Sequence, residues 1–413
     1  MPDIRNIRRG SQTPDRIFRV IDNQAREIRR IYKIVDSQAV IVWDIGEEPL
    51  PTYEHYILTT WDLSDGEFVF PSIENSGEGH SGVIEWGDGK KEIYTDSSVS
   101  LTHKYKATGI YTIKLLGDFS VLYKKCFYQR TDLIAIDTTK SIIRRIDYQA
   151  FSYCTNLKSV KLHSMTNIAA ASTTSNYTFS DCTSLEEIVI PYATEFIGGS
   201  MFKDCTNLKK VTYSTSTVGL GKYAFDYCSN LKSFDFSKCR VAGTGCIAYS
   251  GITQVNLGAK FTGFQAYHSF GLNFYQTVPV QFTFTNNNFF KIIDGCIYYR
   301  ESSSAAYTRF VYCPQNTGGD IVIQSGVTVI TDYAFTNRAE CAGAVEINSI
   351  TIPVTVTKIE DYAMNAFNVY DSKTDTVQIY YEGTAEQWSK VNWSYRRNTA
   401  LSKAEKIFLG DES

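Results

Sequence analysis

Ten cysteines are the residues of this 413-residue chain with the widest possible chemistry, and their spacing narrows it. Four fall in one phrase, Phe-x-x-Cys-x-x-Leu, at Phe151/Cys154/Leu157, Phe179/Cys182/Leu185, Phe202/Cys205/Leu208 and Phe225/Cys228/Leu231, with the cysteines 28, 23 and 23 residues apart. Zinc binding and dithiol chemistry need Cys-x-x-Cys pairs or His/Cys clusters. No such pair occurs, and His55, His80, His103, His163 and His268 are scattered. A thiol that recurs beside Phe and Leu is better read as a small apolar side chain filling a tight corner. No cofactor or metal is implied.

Other catalytic patterns fail in the same way. Gly219-Leu-Gly-Lys222 lacks the length and the Ser/Thr of a phosphate loop, and Gly243-Thr-Gly245 lacks the third glycine and the strand-turn-helix setting. No Gly-x-Ser-x-Gly elbow or His-Glu-x-x-His pair is present. Glu186 and Glu187 are neighbours in one strand-like run and point to opposite faces, so they do not form a carboxylate pair for glycoside hydrolysis. The reading is a chain that is not an enzyme.

Self-similarity at 20 to 30 residues is the mark of a solenoid, whose units bury their apolar faces only by stacking. After each Cys-x-x-Leu comes a strand-like run: Leu157–Leu162, Leu185–Ile190, Leu208–Tyr213, Leu231–Phe236 and, in a degenerate coil, Ile252–Leu257. Alternation places Val160/Leu162, Ile188/Ile190, Val211/Tyr213, Phe234/Phe236 and Val255/Leu257 inward. The outward row is then Ser159, Lys161, Glu187, Val189, Lys210, Thr212, Ser233, Asp235, Gln254 and Asn256, and it is the candidate ligand-binding surface. With strands ~4.8 Å apart, five coils give a strip on the order of 20 Å long, enough for a short glycan or a protein loop. A second candidate is the set of corner tyrosines, Tyr153, Tyr177, Tyr192, Tyr223, Tyr227 and Tyr249, whose rings with polar tips suit sugar stacking.

The flanking chain must hold this array. A hydrophobic fraction of 43% with 21% charged residues describes a folded chain, and 14% aromatics favour strands. The net charge of -3 gives no case for nucleic acid, although Met1–Trp43 carries nine Lys/Arg against five Asp/Glu. Residues 1–48 read as small strands or hairpins, with a helix over Gln24–Ile34 equally open, too small to stand alone and suited to docking or homo-oligomerisation. Residues 52–120 read as a β-sandwich, with strands at Tyr56–Trp61, Glu67–Phe70, Gly82–Trp86 and Tyr111–Leu116. Trp86 and Tyr111 are expected in its core, and His103 is expected to brace the Gly87-Asp88-Gly89 turn. A calcium role for Asp88 with Glu85 and Glu92 lacks an evident ligand count. From residue 121 to 413 the repeats run, with Lys260–Phe290 containing no clear unit and Cys246 and Tyr249 standing roughly where the phrase has been lost. No run approaches the ~20 apolar residues of a membrane span, and Met1 leads into Pro2, Asp3 and arginines with no apolar export segment.

Val83-Ile-Glu-Trp-Gly-Asp-Gly89, His103-Lys-Tyr105 and Gly109–Leu115 resemble the polycystic-kidney-disease (PKD) type of immunoglobulin-like sandwich over about 40 residues. Ile188-Val-Ile-Pro191, Phe196-Ile-Gly198, Gly326–Phe335, Ile350–Ala363, Ile293–Tyr299 and Ile379–Trp388 together resemble the BspA-like leucine-rich repeats. The resemblance implies a mainly β protein: an N-terminal docking segment, an immunoglobulin-like sandwich, and a leucine-rich-repeat solenoid with a parallel sheet. It also implies adhesion to a host cell-surface glycan or protein. The leading segment resembles short modules of phage structural proteins. Combined with the missing export segment, that makes a virion protein of tail or capsid, docked to other virion proteins, the leading expectation. A bacterial or protist surface adhesin is the alternative, and a glycan-processing accessory protein the third reading.

Overall fold

A computed structural model describes residues 17–21, 24–28, 30–35 and 38–44, and residues 53–411 without 74–80, 96–99, 169–175, 214–217, 265–277, 336–340, 365–376 and 396. The chain is almost wholly β. Helix among the described residues is limited to short pieces at Phe236–Lys238, Ala385–Trp388, Thr399–Lys403 and Leu409–Asp411. Two compact units are present, Met1–Thr52 and Tyr53–Ser413. In the first, Ile17–Ile21 pairs antiparallel with Gln24–Ile28, and Arg30–Val35 with Gln38–Asp44. The helical alternative for Gln24–Ile34 is thereby excluded in favour of strands. The side chains on which a docking role for residues 1–48 depends lie outside the described residues.

The second unit opens with a six-stranded sheet in the order Ser159–Lys161, Leu133–Asp137, Tyr56–Leu63, Gly109–Leu116, Gly82–Glu85, Lys91–Tyr94, faced by the pair Gly66–Phe70 and Leu101–Tyr105. Trp61, Phe70, Trp86 and Tyr105 are fully buried between them, whereas Tyr111 is only half-buried, its ring 4.1 Å from that of Tyr105. Asp88 Oδ1 accepts from the Lys90 N–H at 3.0 Å, and Asp88 Oδ2 lies 2.9 Å from His103 Nε2, whose ring stacks on Trp86. The turn is therefore held by its own aspartate and braced by His103.

Tyr56–Leu63 is also hydrogen-bonded, antiparallel, to the solenoid strand Leu133–Asp137. One core runs without a break from Ile57 through the coils to Tyr312. Arg130 fastens the junction: its guanidinium forks onto Asp132 at 2.7 and 2.9 Å, donates to the Val69 carbonyl at 3.0 Å and lies 4.4 Å over the Trp61 ring.

The coils build two strand rows and a column of turns. One row includes Ser159–Lys161, Glu187–Ile190, Lys210–Tyr213, Gln254–Leu257 and Gln281–Phe284; the other is a parallel sheet of Phe196–Ile197, Val218–Leu220, Cys239–Ala242 and Gly263–Phe264. In the turn, backbone N–H groups of every second residue donate to the next coil, as from Ser200, Phe202 and Asp204 to the carbonyls of Lys222, Ala224 and Asp226 at 2.8–2.9 Å. The geometry requires left-handed backbone two residues before and two after each core phenylalanine, at Gln149/Tyr153, Tyr177/Asp181, Ser200/Asp204 and Tyr223/Tyr227. The phenylalanines stack as a ladder, Phe127, Phe151, Phe179, Phe202 and Phe225, with centroids 5.2–5.6 Å apart and planes within 7°.

Two expectations need correction. Leu231–Phe236 is not a strand: Asp235 accepts from the Ser237 N–H and caps the short helix Phe236–Lys238. Cys246 does not replace the lost cysteine either. Phe225 N–H donates to the Cys246 carbonyl just as Phe202 N–H donates to Ala224, which aligns Cys246 with Ala224, Ile247 with Phe225 and Ser250 with Cys228. Within Lys260–Phe290, Gln281–Phe284 pairs in parallel with Gln254–Leu257, so a further coil is present, although residues 265–277 lie outside the described set.

Downstream, Phe290–Ile293 and Cys296–Tyr299 form a hairpin whose turn, Asp294-Gly295, has positive φ at both residues, the geometry that suits the twist of paired strands. The closing coils carry Gly319–Val322, Ile347–Ile352, Gln378–Tyr381 and Lys406–Phe408 in parallel around a second core.

Removing one ring from the ladder leaves a cavity between two flat neighbours that backbone bonds keep apart. Phe179→Ala should therefore cost about 3–5 kcal/mol in urea unfolding. Asp332 supplies a pH test. Its Oδ1 is buried with no hydrogen-bond partner, and burial, then the charge of Glu360, raises its acid to about 6 from 3.8. A raised native value means a contribution that is intact below 3.8 and lost as pH rises through about 6. Asp332→Asn should raise the thermal midpoint near neutral pH, and the gain should vanish as pH falls toward 3.8.

Candidate functional site

The outward face of the strand row is not a uniform strip. Ser159–Lys161 belongs to the six-stranded sheet with Leu133–Asp137, whereas Glu187–Ile190 pairs with Lys210–Tyr213 in a separate sheet. Between the two lies a groove of about 930 Å³. It brings together six of the ten outward residues, Ser159, Lys161, Glu187, Val189, Lys210 and Thr212. The opening sits at the 28-residue spacing, five residues longer than the other two.

Ser233, Asp235, Gln254 and Asn256 are exposed but do not line it. The Asp235 carboxylate serves the local cap, and Asn256 Oδ1 accepts from Thr285 Oγ1 at 2.9 Å.

Strand alternation does not extend to Lys158, Glu186 and Lys209, which enter the groove from the residues just before each strand. The expectation that Glu186 and Glu187 point to opposite faces is corrected here: Glu186 precedes the regular strand, and both line the groove. In all, four lysines face two glutamates. Lys209 Nζ binds Glu186 Oε2 at 2.8 Å, and that hydrogen bond and charge hold the Glu186 carboxyl below its ordinary range. The pair is solvated and adds little stability. The other lysines leave the groove with excess positive charge. Val189, 61% exposed, is an apolar contact among them.

The outward face also continues in the N-terminal direction. Register joins Lys161 to Asp137, Asp137 to Leu58, Leu58 to Lys114 and Lys114 to Glu85, a cross-strand line over five strands. The sequence offered no route to it, since nothing in residues 52–120 states which solenoid strand they join.

Residues 103–173, 164–273 and 306–383 match the BspA type leucine rich repeat region in six copies. The chain is a BspA-type leucine-rich-repeat protein. No curated protein matches it. Among solved structures it is similar to a leucine rich cell surface protein from Faecalibacterium prausnitzii, at 17% identity over 66% of this chain and 79% of that one, with a TM-score of 0.33. It is similar to a leucine-rich repeat protein from Eubacterium ventriosum at 14% identity over 76% and 72%, with a TM-score of 0.37. It is also similar to the pneumococcal vaccine antigen PcpA at 16% identity over 58% and 48%, with a TM-score of 0.34.

In this BspA-type chain the repeat cysteines have a defined task. Each thiol donates to the carbonyl of the phenylalanine one coil back: Cys154 to Phe127 at 2.9 Å, Cys182 to Phe151 at 3.2 Å, Cys205 to Phe179 and Cys228 to Phe202 at 3.0 Å. A thiol combines an apolar body with a weak donor, so it fills the corner and still meets a carbonyl. All ten cysteines are buried thiols. Burial pushes the Cys154 and Cys239 thiols up to about 12, far from the reactive thiolate. Among the described residues no group of three or more His, Cys, Asp or Glu is placed to hold a metal ion, and Glu85 near the Asp88 turn pairs with Lys91 at 2.7 Å. No helix among them is long and apolar enough to cross a membrane. A thiol reagent at about pH 8 should label no cysteine in the folded chain and all ten after denaturation; rapid native labelling of Cys154, Cys182, Cys205 or Cys228 would contradict the ladder.

Proposed function

We propose that this chain is a non-catalytic binding protein of a cell surface, an adhesin of the BspA type, and that its partner lies along the strand-face groove. The observation that carries the reading is the groove itself, with Lys158, Lys161, Lys209 and Lys210 around Val189, opening onto a sheet continuous with residues 56–116. A face with more lysines than carboxylates favours an acidic region of a surface glycan or protein. The family match supports the surface reading. The virion assignment expected from the sequence has no support from that match and gives way to it.

Residues 52–120 are read, in the same proposal, as a PKD-type module that closes the solenoid. The braced Asp88 turn and the shared sheet at Leu133–Asp137 support this. Residues 1–48 are read as the segment that docks the chain to its own assembly.

Lys161→Glu combined with Lys210→Glu should lower binding of the labelled chain to target cells at least tenfold while the thermal midpoint holds. Wild-type binding should weaken as salt rises. Unchanged cell binding by the double variant would remove the groove from the interface. Mass spectrometry that finds the chain in purified virions and not on washed bacterial cells would restore the virion reading.

A further inference from the structure

The turn face carries a second concavity that the strand-face reading does not use. A cleft of about 480 Å³ is lined by Tyr177, Tyr223, Tyr227 and Tyr249 together with Lys203 and Asp226, within the ~300–1,000 Å³ of small-ligand pockets. It arises from an alternation along one ladder position. Two residues before the core phenylalanine, successive coils carry Tyr177, Ser200 and Tyr223, and Gly245 stands at the equivalent place in the degenerate coil. Small residues therefore separate large ones, and the gaps between rings stay open. Gly245 is required twice over, by a φ of +62° and because a Cβ there would lie 2.5 Å from the Tyr223 ring.

The fold does not demand tyrosine at this position, although Tyr333 and Tyr362 also stand there in later coils. Left-handed backbone is uncommon for bulky residues and is taken more readily by Asn or Gly. Earlier coils fill the same position with Lys125 and Gln149, so stacking of the coils does not demand a ring. Yet Tyr223 and Tyr227 are 37% and 44% exposed, and Tyr227 stacks on Tyr249 at 4.6 Å to make a two-ring wall.

Beside that wall sits an ion pair of mixed sign. Lys203 Nζ lies 2.9 Å from Asp226 Oδ2, 3.2 Å from Asp204 Oδ2 and 4.9 Å from the Tyr227 ring centroid, and Asp226 is buried. A cationic ligand would meet Lys203, and an anionic one would meet Asp226. A neutral ligand that offers C–H faces to the rings, hydroxyl donors to the carboxylate and hydroxyl oxygens to the ammonium meets no such conflict. From this we infer that the turn-face cleft binds a neutral pyranose unit of a glycan, with Tyr223 and Tyr227 as stacking surfaces and the Asp226–Lys203 pair reading its hydroxyls.

The test uses the full chain and saturation-transfer NMR with methyl glycosides of glucose, galactose, mannose, N-acetylglucosamine and N-acetylgalactosamine, followed by titration of the best binder. At least one should receive saturation at its ring protons. Tyr223→Asn should weaken it tenfold or more while leaving the thermal midpoint level or higher, because Asn accepts the left-handed backbone. Asp226→Asn should weaken it similarly. Lys161→Glu with Lys210→Glu, which tests the strand-face groove, should leave sugar binding intact, so the two readings fail separately. No saturation for any of the five sugars overturns the inference. So does wild-type affinity in Tyr223→Asn, or a fall in its midpoint that accounts for lost binding. Should Asp226→Asn fail to fold, Tyr223→Asn decides alone.

Discussion

The hydrogen-bonded stacking of the turns is the constraint on which the rest of this molecule depends. Alternate N–H groups of each Phe-x-x-Cys turn are committed to carbonyls of the next coil, while those between them close turns within their own coil, as Cys154 N–H does on the Phe151 carbonyl. A buried donor without a partner is costly, so the chain accepts left-handed backbone at two residues per turn rather than leave these groups unpaired. Once the coils are locked at that spacing, the phenyl rings lie within 7° of parallel, and the thiols meet the carbonyls of the coil before. The repeat signature is the side-chain record of a backbone requirement.

A stack so built has two open ends and tolerates few irregularities in between. The first end is closed by Tyr56–Leu63, which runs antiparallel to Leu133–Asp137 and removes the free edge that would otherwise invite another strand. Tyr56–Leu63 thus terminates that strand row rather than merely preceding it, and Phe127, the first ring of the ladder, packs against Trp61 and Phe70. The strand row parts between Ser159–Lys161 and Glu187–Ile190, although the coils remain joined by the Ser184 N–H to the Thr155 carbonyl at 3.1 Å.

The sequence made the periodic part of this plain and left the junctions opaque. Phe, Cys and Leu at fixed intervals declare buried positions, because only a stacked coil would place them so, and the inward alternation of Ile188/Ile190 or Val255/Leu257 follows from the pleat. Leu231–Phe236 has the same alternation and still fails as a strand, because Asp235 two residues before Ser237 offers a local cap that competes with pairing. Cys246 misled for a related reason: residue identity suggested its place, whereas the backbone ladder that fixes register is invisible in side chains. The groove was half legible. Ser159, Lys161, Glu187, Val189, Lys210 and Thr212 follow from alternation, but Lys158, Glu186 and Lys209 precede the regular strands, where period two has no authority.

The two concave faces differ in chemistry for a reason rooted in the coil. On the strand face, side chains stand clear of a pleated surface, and long charged residues keep their heads in water there at little cost; four lysines collect around a single exposed valine. On the turn face, side chains spring from tightly curved backbone that approaches its neighbour every coil, so rings can lie against one another, as Tyr227 does on Tyr249 and Tyr333 on Tyr362. Both faces are fixed before any ligand arrives, since the backbone bonds that set the coil spacing do not depend on a partner. Binding to such a surface loses little further backbone freedom, and modest contacts repeated along the stack can then add up to useful affinity.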